Sequence, residues 1–234
     1  MVVTEIALLP LQQSCNPEDT NSIASQIHDS AVEVILSQPG AHRVRWGRRY
    51  EDNPLLMWFV DWDNIESHTR FMAVYEPFLK EFGGILDTGA RAYHADFVPY
   101  GKAETPCDAR SRTTQIITMW FPDTYSEVDK HEVESQAQRF VATLENVASY
   151  NSSVGGWVRE MIDIPGTIRQ GKAYVLLVSW DLPKGSLEAR EGDAIKNNFK
   201  FLWDARGLEK LEVVHSTLVE VTRISKGLQG RSNL

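Results

Sequence analysis

Residues 55–86, LLMWFVDWDNIESHTRFMAVYEPFLKEFGGIL, indicate the architecture of the chain because their pattern changes once, from strand to helix. Positions 55–62 are almost wholly apolar or aromatic, which is typical of a buried strand. Beyond Trp62 and Asp63, apolar side chains recur at helical spacing around His68, and two glycines at 83 and 84 end the helix. The segment predicts a strand that leads into an amphipathic helix carrying a histidine.

A second, imperfect copy of this segment lies in the other half of the chain. Trp180 and Asp181 end an apolar strand as Trp62 and Asp63 do, 118 residues earlier. Further matches occur in the same order at separations of 110 to 123 residues: Thr4 and Ile6 with Thr114 and Ile116, Trp46 with Trp157, Phe78 with Phe201, and His94 with His215. Small loop insertions between two structural repeats produce such a drift, so the sequence predicts an internal duplication.

Each copy predicts the order β-α-β-β-α-β, which is the ferredoxin-like unit. Strands are expected at 2–11, 42–51, 55–62, 89–99, 113–121, 156–164, 172–180 and 208–221, and helices at 16–38, 64–82, 125–150 and 187–205. We therefore expect an α+β chain of two tandem ferredoxin-like repeats, 1–99 and 113–222, with a linker at 100–112 and a polar tail at 223–234. Because the helices cover one face of each antiparallel sheet, the open faces are expected to pack together as an α+β barrel around a cavity.

Composition and missing motifs exclude several classes of function. The 234 residues are 42% hydrophobic and 24% charged, which suffices for two compact units of about a hundred residues each. The net charge of −8 disfavours nucleic-acid binding, because no excess of Lys and Arg is present to displace phosphate counterions. No nucleotide-binding glycine loop, H-E-x-x-H motif or G-x-S-x-G elbow occurs, and the histidines are scattered singly, so a dedicated metal site is not expected.

The cysteines and termini bear on the cellular compartment. Cys15 and Cys107 lack zinc-ligand spacing and predict free thiols in a reducing compartment. The N-terminus lacks a basic leader with a long apolar core, and no stretch approaches about 18 apolar residues, so we expect a soluble, cytoplasmic protein without membrane contact. The last three residues, Ser232-Asn233-Leu234, resemble the S-K-L peroxisomal signal, which makes the peroxisome the alternative location.

Histidines are the first candidates for catalysis. His94 and Asp96 are two residues apart on one predicted strand face, where the carboxylate would fix the tautomer of the imidazole and raise its basicity. This pair predicts a general base, and the alternative is a surface ion pair on an edge strand. His68 is either a second candidate base or a partly buried histidine bonded to backbone or to a carboxylate. His215, the duplicate of His94, lacks the acid and is predicted to contribute to substrate binding.

A second set of residues is predicted to bind the substrate. The Arg45 guanidinium would hold a developing oxyanion, and salt bridges at the barrel rim are its alternative role. Tyr50 or Tyr93 would donate a hydrogen bond. Trp58 and Trp62 would wall a pocket for a flat apolar substrate, although core packing explains most of the 7 tryptophans.

The segment WDNIESHTRF, in which a strand ends in an aromatic residue and the next helix carries Glu66 and His68, resembles the dimeric α+β barrel superfamily, especially its antibiotic-biosynthesis-monooxygenase-like branch. The resemblance covers most of the chain, in a tandem form similar to fungal members, and it implies a position near the pocket mouth for His68. The second repeat departs from the pattern, because Pro183, Lys184 and Gly185 follow its strand and no histidine occupies the position of His68. The first repeat is therefore the better candidate for a site.

Members of this superfamily include cofactor-independent quinone-forming monooxygenases, polyketide cyclases, dehydratases, isomerases and haem-degrading enzymes, and their sheet faces also form homodimers. The resemblance implies a small-molecule enzyme without a bound cofactor, although a single histidine would suffice to ligate haem. We expect cyclisation, isomerisation or dehydration of an apolar, oxygenated, polyketide-like compound, with His68 or His94 as the base. The alternatives are a cofactor-free monooxygenase acting on a phenol and a non-catalytic, ligand-binding or stress-related protein.

Overall fold

In the computed structural model of the chain, the described residues are 2–51, 54–74, 76–100, 113–183 and 198–223. Their elements follow the order β1 (Val3–Pro10), α1 (Ile23–Ser37), β2 (Ala41–Arg48), β3 (Leu55–Trp62), α2 (Ile65–Val74), α3 (Glu76–Gly83), β4 (Arg91–Ala95), β5 (Val98–Tyr100), β6 (Thr113–Phe121), α4 (Glu127–Leu144), β7 (Tyr150–Trp157), β8 (Ile162–Asp163), β9 (Gln170–Trp180), α5 (Lys200–Trp203), β10 (Lys210–Ser216) and β11 (Val219–Thr222). The predicted linker beyond residue 100, most of the predicted helix 187–205 and the tail beyond residue 223 lie outside the described residues.

The strands form two antiparallel sheets, in the orders β11-β2-β3-β1-β4 and β10-β6-β9-β7-β5. The predicted fold class, two tandem ferredoxin-like repeats whose antiparallel sheets pack as an α+β barrel, is confirmed. The division at residues 99 and 113 stays a prediction.

The two halves exchange their last strands. β5 pairs with β7 of the second half, with Val98 opposite Gly155, and β11 pairs with β2 of the first half, with Val219 opposite Trp46. Each exchanged strand extends the edge of the other half's sheet, which leaves fewer backbone groups unpaired. The barrel therefore closes within one chain.

Alternation along β3 decides which side chains lie between the sheets. Met57 and Phe59 belong to a core cluster that draws on both sheets, whereas Leu56, Trp58 and Trp62 pack on the side covered by the helices. The cluster between the sheets comprises Ile6, Met57, Phe59, Tyr93, Ala95, Ile116, Trp120, Val154, Val158, Ile164, Ala173, Val175, Leu177 and Val214. Apolar side chains of both repeats therefore pack between the sheets. The cavity expected at the barrel centre stays a prediction.

Two glycines allow the exchanged strands to cross closely. A Cβ added to Gly47 would overlap the carbonyl oxygen of Thr217, and one added to Gly156 would overlap that of Asp96. The two crossings are equivalent, so Gly47 corresponds to Gly156, 109 residues further on. The sequence match of Trp46 with Trp157 was therefore shifted by two residues, which preserved the strand face but not the register.

The first helix begins later than the sequence predicted. Its N-cap is Ser22, whose hydroxyl oxygen accepts a hydrogen bond from the Ser25 N–H at 3.0 Å. The predicted helix began at Asn16, but the Asn16 side chain accepts from the Glu18 N–H at 3.1 Å and from Arg48 at 2.8 Å, which places it in a turn held by β2. Within the described ranges, no helix is both long enough and apolar enough to cross a membrane.

Candidate active site

A cleft of 420 Å³ opens at one end of the barrel, where both sheets and the β8 hairpin meet. Its walls come from both repeats: Leu8, Arg49, Arg91, Ala92 and Tyr93 from the first, and Trp120, Glu160, Met161, Ile162, Asp163, Pro165, Gln170 and Glu212 from the second. Apolar walls with a few polar groups are typical of small-molecule sites. The exchange of strands between the repeats places these residues around one opening.

Glu160 connects this cleft to the two histidines that the sequence singled out. Its carboxylate accepts from the backbone N–H of His94 at 2.7 Å and lies 2.6 Å from Nδ1 of the same residue. Nε2 of His94 lies 2.8 Å from Nδ1 of His68. Nε2 of His68 in turn lies 3.5 Å from the Glu5 carboxylate. The side chain of Glu160 is 38% exposed, whereas that of His94 is 12% exposed, so the carboxylate is the member that a ligand reaches.

The geometry determines how protons are shared in this chain of groups. An ionised carboxylate only accepts, so Nδ1 of His94 carries the proton and donates it to Glu160. Nε2 of the same ring shares a hydrogen bond with Nδ1 of His68. His94 thus holds Glu160 with two donors, and His68 orients the ring of His94.

The buried end of this chain of groups is Glu5. Its carboxylate accepts from the Trp62 indole N–H at 3.0 Å, and its side chain is 13% exposed. Burial lowers the pKa of His68 below its ordinary value, and the Glu5 and Glu160 carboxylates oppose that effect. Burial therefore favours the neutral form of the His68 imidazole.

The duplicated position in the second half has a reduced version of this arrangement. Glu51 accepts from the backbone N–H of His215 at 3.0 Å and lies 2.9 Å from its Nδ1. Nε2 of His215 lies 3.4 Å from the side-chain nitrogen of Gln115, which occupies the position of Glu5. The predicted binding residue His215 thus lies in a carboxylate-histidine pair without a second imidazole among the described residues.

The structure brings His68 and His94 together but places Asp96 elsewhere. The predicted hydrogen bond between His94 and Asp96 is wrong, because Asp96 accepts two hydrogen bonds from the Arg159 guanidinium, both at 2.7 Å. Asp96 follows the end of β4, so strand alternation no longer keeps it beside His94. Glu160, from the other repeat, takes the expected position of the acid.

Arg45 does not reach the cleft. Its side chain is 1% exposed, lies between the sheets and donates to Asp61 at 3.0 Å. Asp61 also pairs with Arg43 and accepts from the Thr4 hydroxyl at 2.7 Å, and both arginines lower its pKa against the effect of burial. The predicted oxyanion role of Arg45 is wrong, because its charge is neutralised and its surroundings are closed.

Among the predicted binding residues, Tyr93 alone lines the cleft. Burial raises its pKa to about 12, so the phenol keeps its proton and can donate. Trp58 and Trp62 pack on the helix side, where the Trp58 indole donates to Nε2 of His28 at 3.1 Å. The Tyr50 hydroxyl forms a hydrogen bond with the Thr217 hydroxyl at the strand crossing. Trp58 and Trp62, which were predicted to wall the pocket, are therefore core residues.

Sequence reasoning missed Glu160, Arg91 and Trp120. Glu160 lies 66 residues from His94, and it follows the strand-crossing glycine Gly156 as Glu51 follows Gly47. The duplicated pattern glycine, three residues, glutamate was the one signal that pointed to it.

The histidines of this site do not fit a haem ligand, which requires a ring nitrogen open to the iron. Both nitrogens of His94 contact protein groups, at 2.6 and 2.8 Å. Those of His68 and His215 likewise face neighbouring side chains.

The fold has clear relatives among solved structures. An anthrone oxidase-like protein superimposes with a TM-score of 0.65 at 14% identity, over 100% of this chain and 97% of that chain. A "putative monooxygenase" of Fusobacterium nucleatum has a TM-score of 0.60 at 11% identity, over 93% of this chain and 92% of the other. A mutant chlorite dismutase of Candidatus Nitrospira defluvii has a TM-score of 0.53 at 11% identity, over 93% of this chain and 90% of the other.

Comparison of the sequence with protein-family models and with curated proteins finds no match. The structural likeness extends over nearly the whole length of each relative, so it includes both repeats. The chain therefore has the fold of these solved structures, with both halves of the barrel supplied by one polypeptide.

Proposed function

We propose that this protein is a cofactor-independent enzyme that removes a proton from an apolar, oxygenated, polyketide-like substrate bound in the cleft at the barrel mouth. Proton transfer of this kind drives a cyclisation, an isomerisation or a dehydration. One observation supports the proposal above all: the Glu160 carboxylate lines the cleft and is held by two donors of His94.

In this proposal Glu160 is the general base. The proton leaves a carbon or oxygen of the substrate for a lone pair of Glu160 that His94 does not use, and the electron pair of the broken bond stays on the substrate as an enolate or phenolate. His94 and His68 are positioning residues, because they orient the carboxylate without touching the substrate. Tyr93 donates a hydrogen bond to the oxygen on which charge develops.

Deuterium exchange tests the base without knowledge of the natural substrate. The full-length protein is incubated in D₂O with 2-tetralone, a flat ketone with acidic C–H groups, and loss of the proton signals is followed by NMR. Glu160→Gln is expected to lower the catalysed exchange rate by about 100-fold or more. Glu51→Gln removes the equivalent carboxylate of the other half, which does not line the cleft, and is the matched control.

An exchange rate that is the same in the wild type and in Glu160→Gln contradicts the proposed base. The exchange rate of His94→Ala is expected to lie between those of the wild type and Glu160→Gln, about tenfold below the wild type, because the Glu160 carboxylate remains but loses its side-chain donor.

A second candidate is oxidation of a deprotonated phenol or anthrone by O₂, and the likeness to the anthrone oxidase-like protein favours it. With anthrone the reaction balances as one anthrone and one O₂ giving one anthraquinone and one water, so the CH₂ group is oxidised and O₂ is reduced. An oxygen electrode decides between the candidates. Uptake of one O₂ per anthrone, abolished in Glu160→Gln, indicates the oxidase, whereas deuterium exchange without O₂ uptake indicates proton transfer alone.

A further inference from the structure

Arg91 and Tyr93 form one wall of the cleft. They are two residues apart on β4, so their side chains project from the same face, about 7 Å apart along the strand. Tyr93 and the next residue on that face, Ala95, belong to the core between the sheets. The wall therefore presents a guanidinium next to a phenol on the barrel side.

Neither group is engaged by another described side chain. Within the described part of the chain, no hydrogen bond or ion pair joins another side chain to the Arg91 guanidinium or to the Tyr93 hydroxyl. The other charged groups around the opening differ in this respect. Arg49 pairs with Glu212 at 3.1 Å, Glu160 is held by His94, and Asp163 accepts from the Gln170 side chain at 3.1 Å.

The duplication explains how a cation without a partner among the described residues came to face the cleft. Arg49 of the first repeat pairs with Glu212 of the second across the opening. The strand crossings make Val158 the equivalent of Arg49, and the match of His94 with His215 makes Arg91 the equivalent of Glu212. The ion pair of one half is thus replaced in the other by a valine and an arginine, which leaves a positive charge at the opening.

We propose that Arg91 and Tyr93 form an anion-binding subsite of the cleft and that the substrate is a flat, apolar carboxylic acid whose carboxylate they hold. This inference rests on the proposed function, because it takes the substrate to bind in this cleft. The guanidinium presents two parallel N–H donors that match a carboxylate, and the protonated phenol adds a third. Leu8, Trp120 and Ile162 provide the apolar contact for the ring.

Calorimetric titration of the full-length protein at pH 7 with 2-naphthoate and with its neutral isostere 2-naphthamide tests the subsite. The carboxylate is expected to bind about tenfold tighter than the amide, because it accepts charge-assisted hydrogen bonds. Arg91→Gln is expected to weaken 2-naphthoate about tenfold and to leave 2-naphthamide unchanged. Tyr93→Phe is expected to weaken 2-naphthoate several-fold. Arg206→Gln is the matched control, since it removes an exposed cation that lies beside Asp129.

Three results would overturn the subsite: equal affinity for acid and amide, absence of binding by either compound, or wild-type affinity for 2-naphthoate in Arg91→Gln. The Glu160→Gln variant separates this inference from the proposed reaction, because it retains Arg91 and Tyr93 and is expected to bind 2-naphthoate at least as tightly as the wild type. If 2-naphthoate binds more tightly than 2-naphthamide while no Glu160-dependent deuterium exchange is found, the proposed reaction is contradicted and the subsite is supported.

Discussion

At the scale of single residues, the candidate site is defined by what each histidine nitrogen contacts. His68 and His94 are 26 residues apart in sequence and meet at 2.8 Å, because His94 of β4 projects to the sheet face on which α2 packs. The sequence indicated both histidines, from their positions on a helix and a strand. The sequence predicted Asp96 as the carboxylate partner of His94, because a strand pattern does not show that a carboxylate of the other repeat lies closer to the ring.

His28 provides a residue-scale prediction about stability and pH. It is 0% exposed, and burial lowers its pKa below the ordinary value of 6.5. Below pH 6.5 the unfolded chain therefore binds a proton more readily than the folded protein, so the free energy of unfolding falls as the pH drops, by at most about 1.4 kcal/mol per pH unit for one proton.

Urea unfolding at pH 7, 6 and 5 measures this dependence. His28→Gln is expected to be less stable at pH 7, because the acceptor for the Trp58 indole is disturbed, but to show a shallower loss of stability toward pH 5. The slope that remains belongs in part to His68, whose pKa is also lowered. His131→Gln, at a side chain 77% exposed, is the control, and an unchanged slope in His28→Gln contradicts the assignment.

At the scale of elements, strand alternation accounts for most of what the sequence predicted correctly. The apolar residues 55–62 were correctly predicted as a strand, β3, and its register places Trp62 opposite Val3 of β1. Its two faces could not be told apart, because both are apolar. Helices pack on one and the second sheet on the other, so Trp58 and Trp62 became core instead of a pocket wall.

The strand crossings provide the element-scale prediction. Gly156→Ala is expected to destabilise the protein by about 2–4 kcal/mol, because the new Cβ overlaps the Asp96 carbonyl and neither strand can move without breaking pairs. Gly83→Ala is the matched control, since its Cβ meets no neighbour and alanine favours the helix. Thermal unfolding monitored by circular dichroism compares them, and equal melting temperatures for the two variants contradict the close crossing.

At the scale of the whole molecule, the exchange of β5 and β11 joins the two repeats into one folding unit. Each sheet includes a strand of the other half, and the core between the sheets draws on both. Glu160 and Glu51 add a contact in each direction, to His94 and His215. A half on its own would expose that core.

A single cooperative unfolding transition is therefore expected in differential scanning calorimetry, with a calorimetric enthalpy equal to the van't Hoff enthalpy. Gly156→Ala is expected to shift the whole transition to lower temperature rather than to split it. Two resolved transitions, or a variant in which half of the heat remains at the wild-type temperature, contradict the coupling of the repeats.

The sequence by itself determined the duplication and the strand-helix order and singled out His68 and His94 as candidates, because these depend on local periodicity and on matches along the chain. Only the tertiary structure decided that Glu160 holds His94, that Arg45 is buried against Asp61 and that Arg91 and Tyr93 face the opening. The physical reason is that each of these contacts depends on which sheet face meets the other half and on where the exchanged strands cross. Alternation marks two faces of a strand but does not say what covers either one.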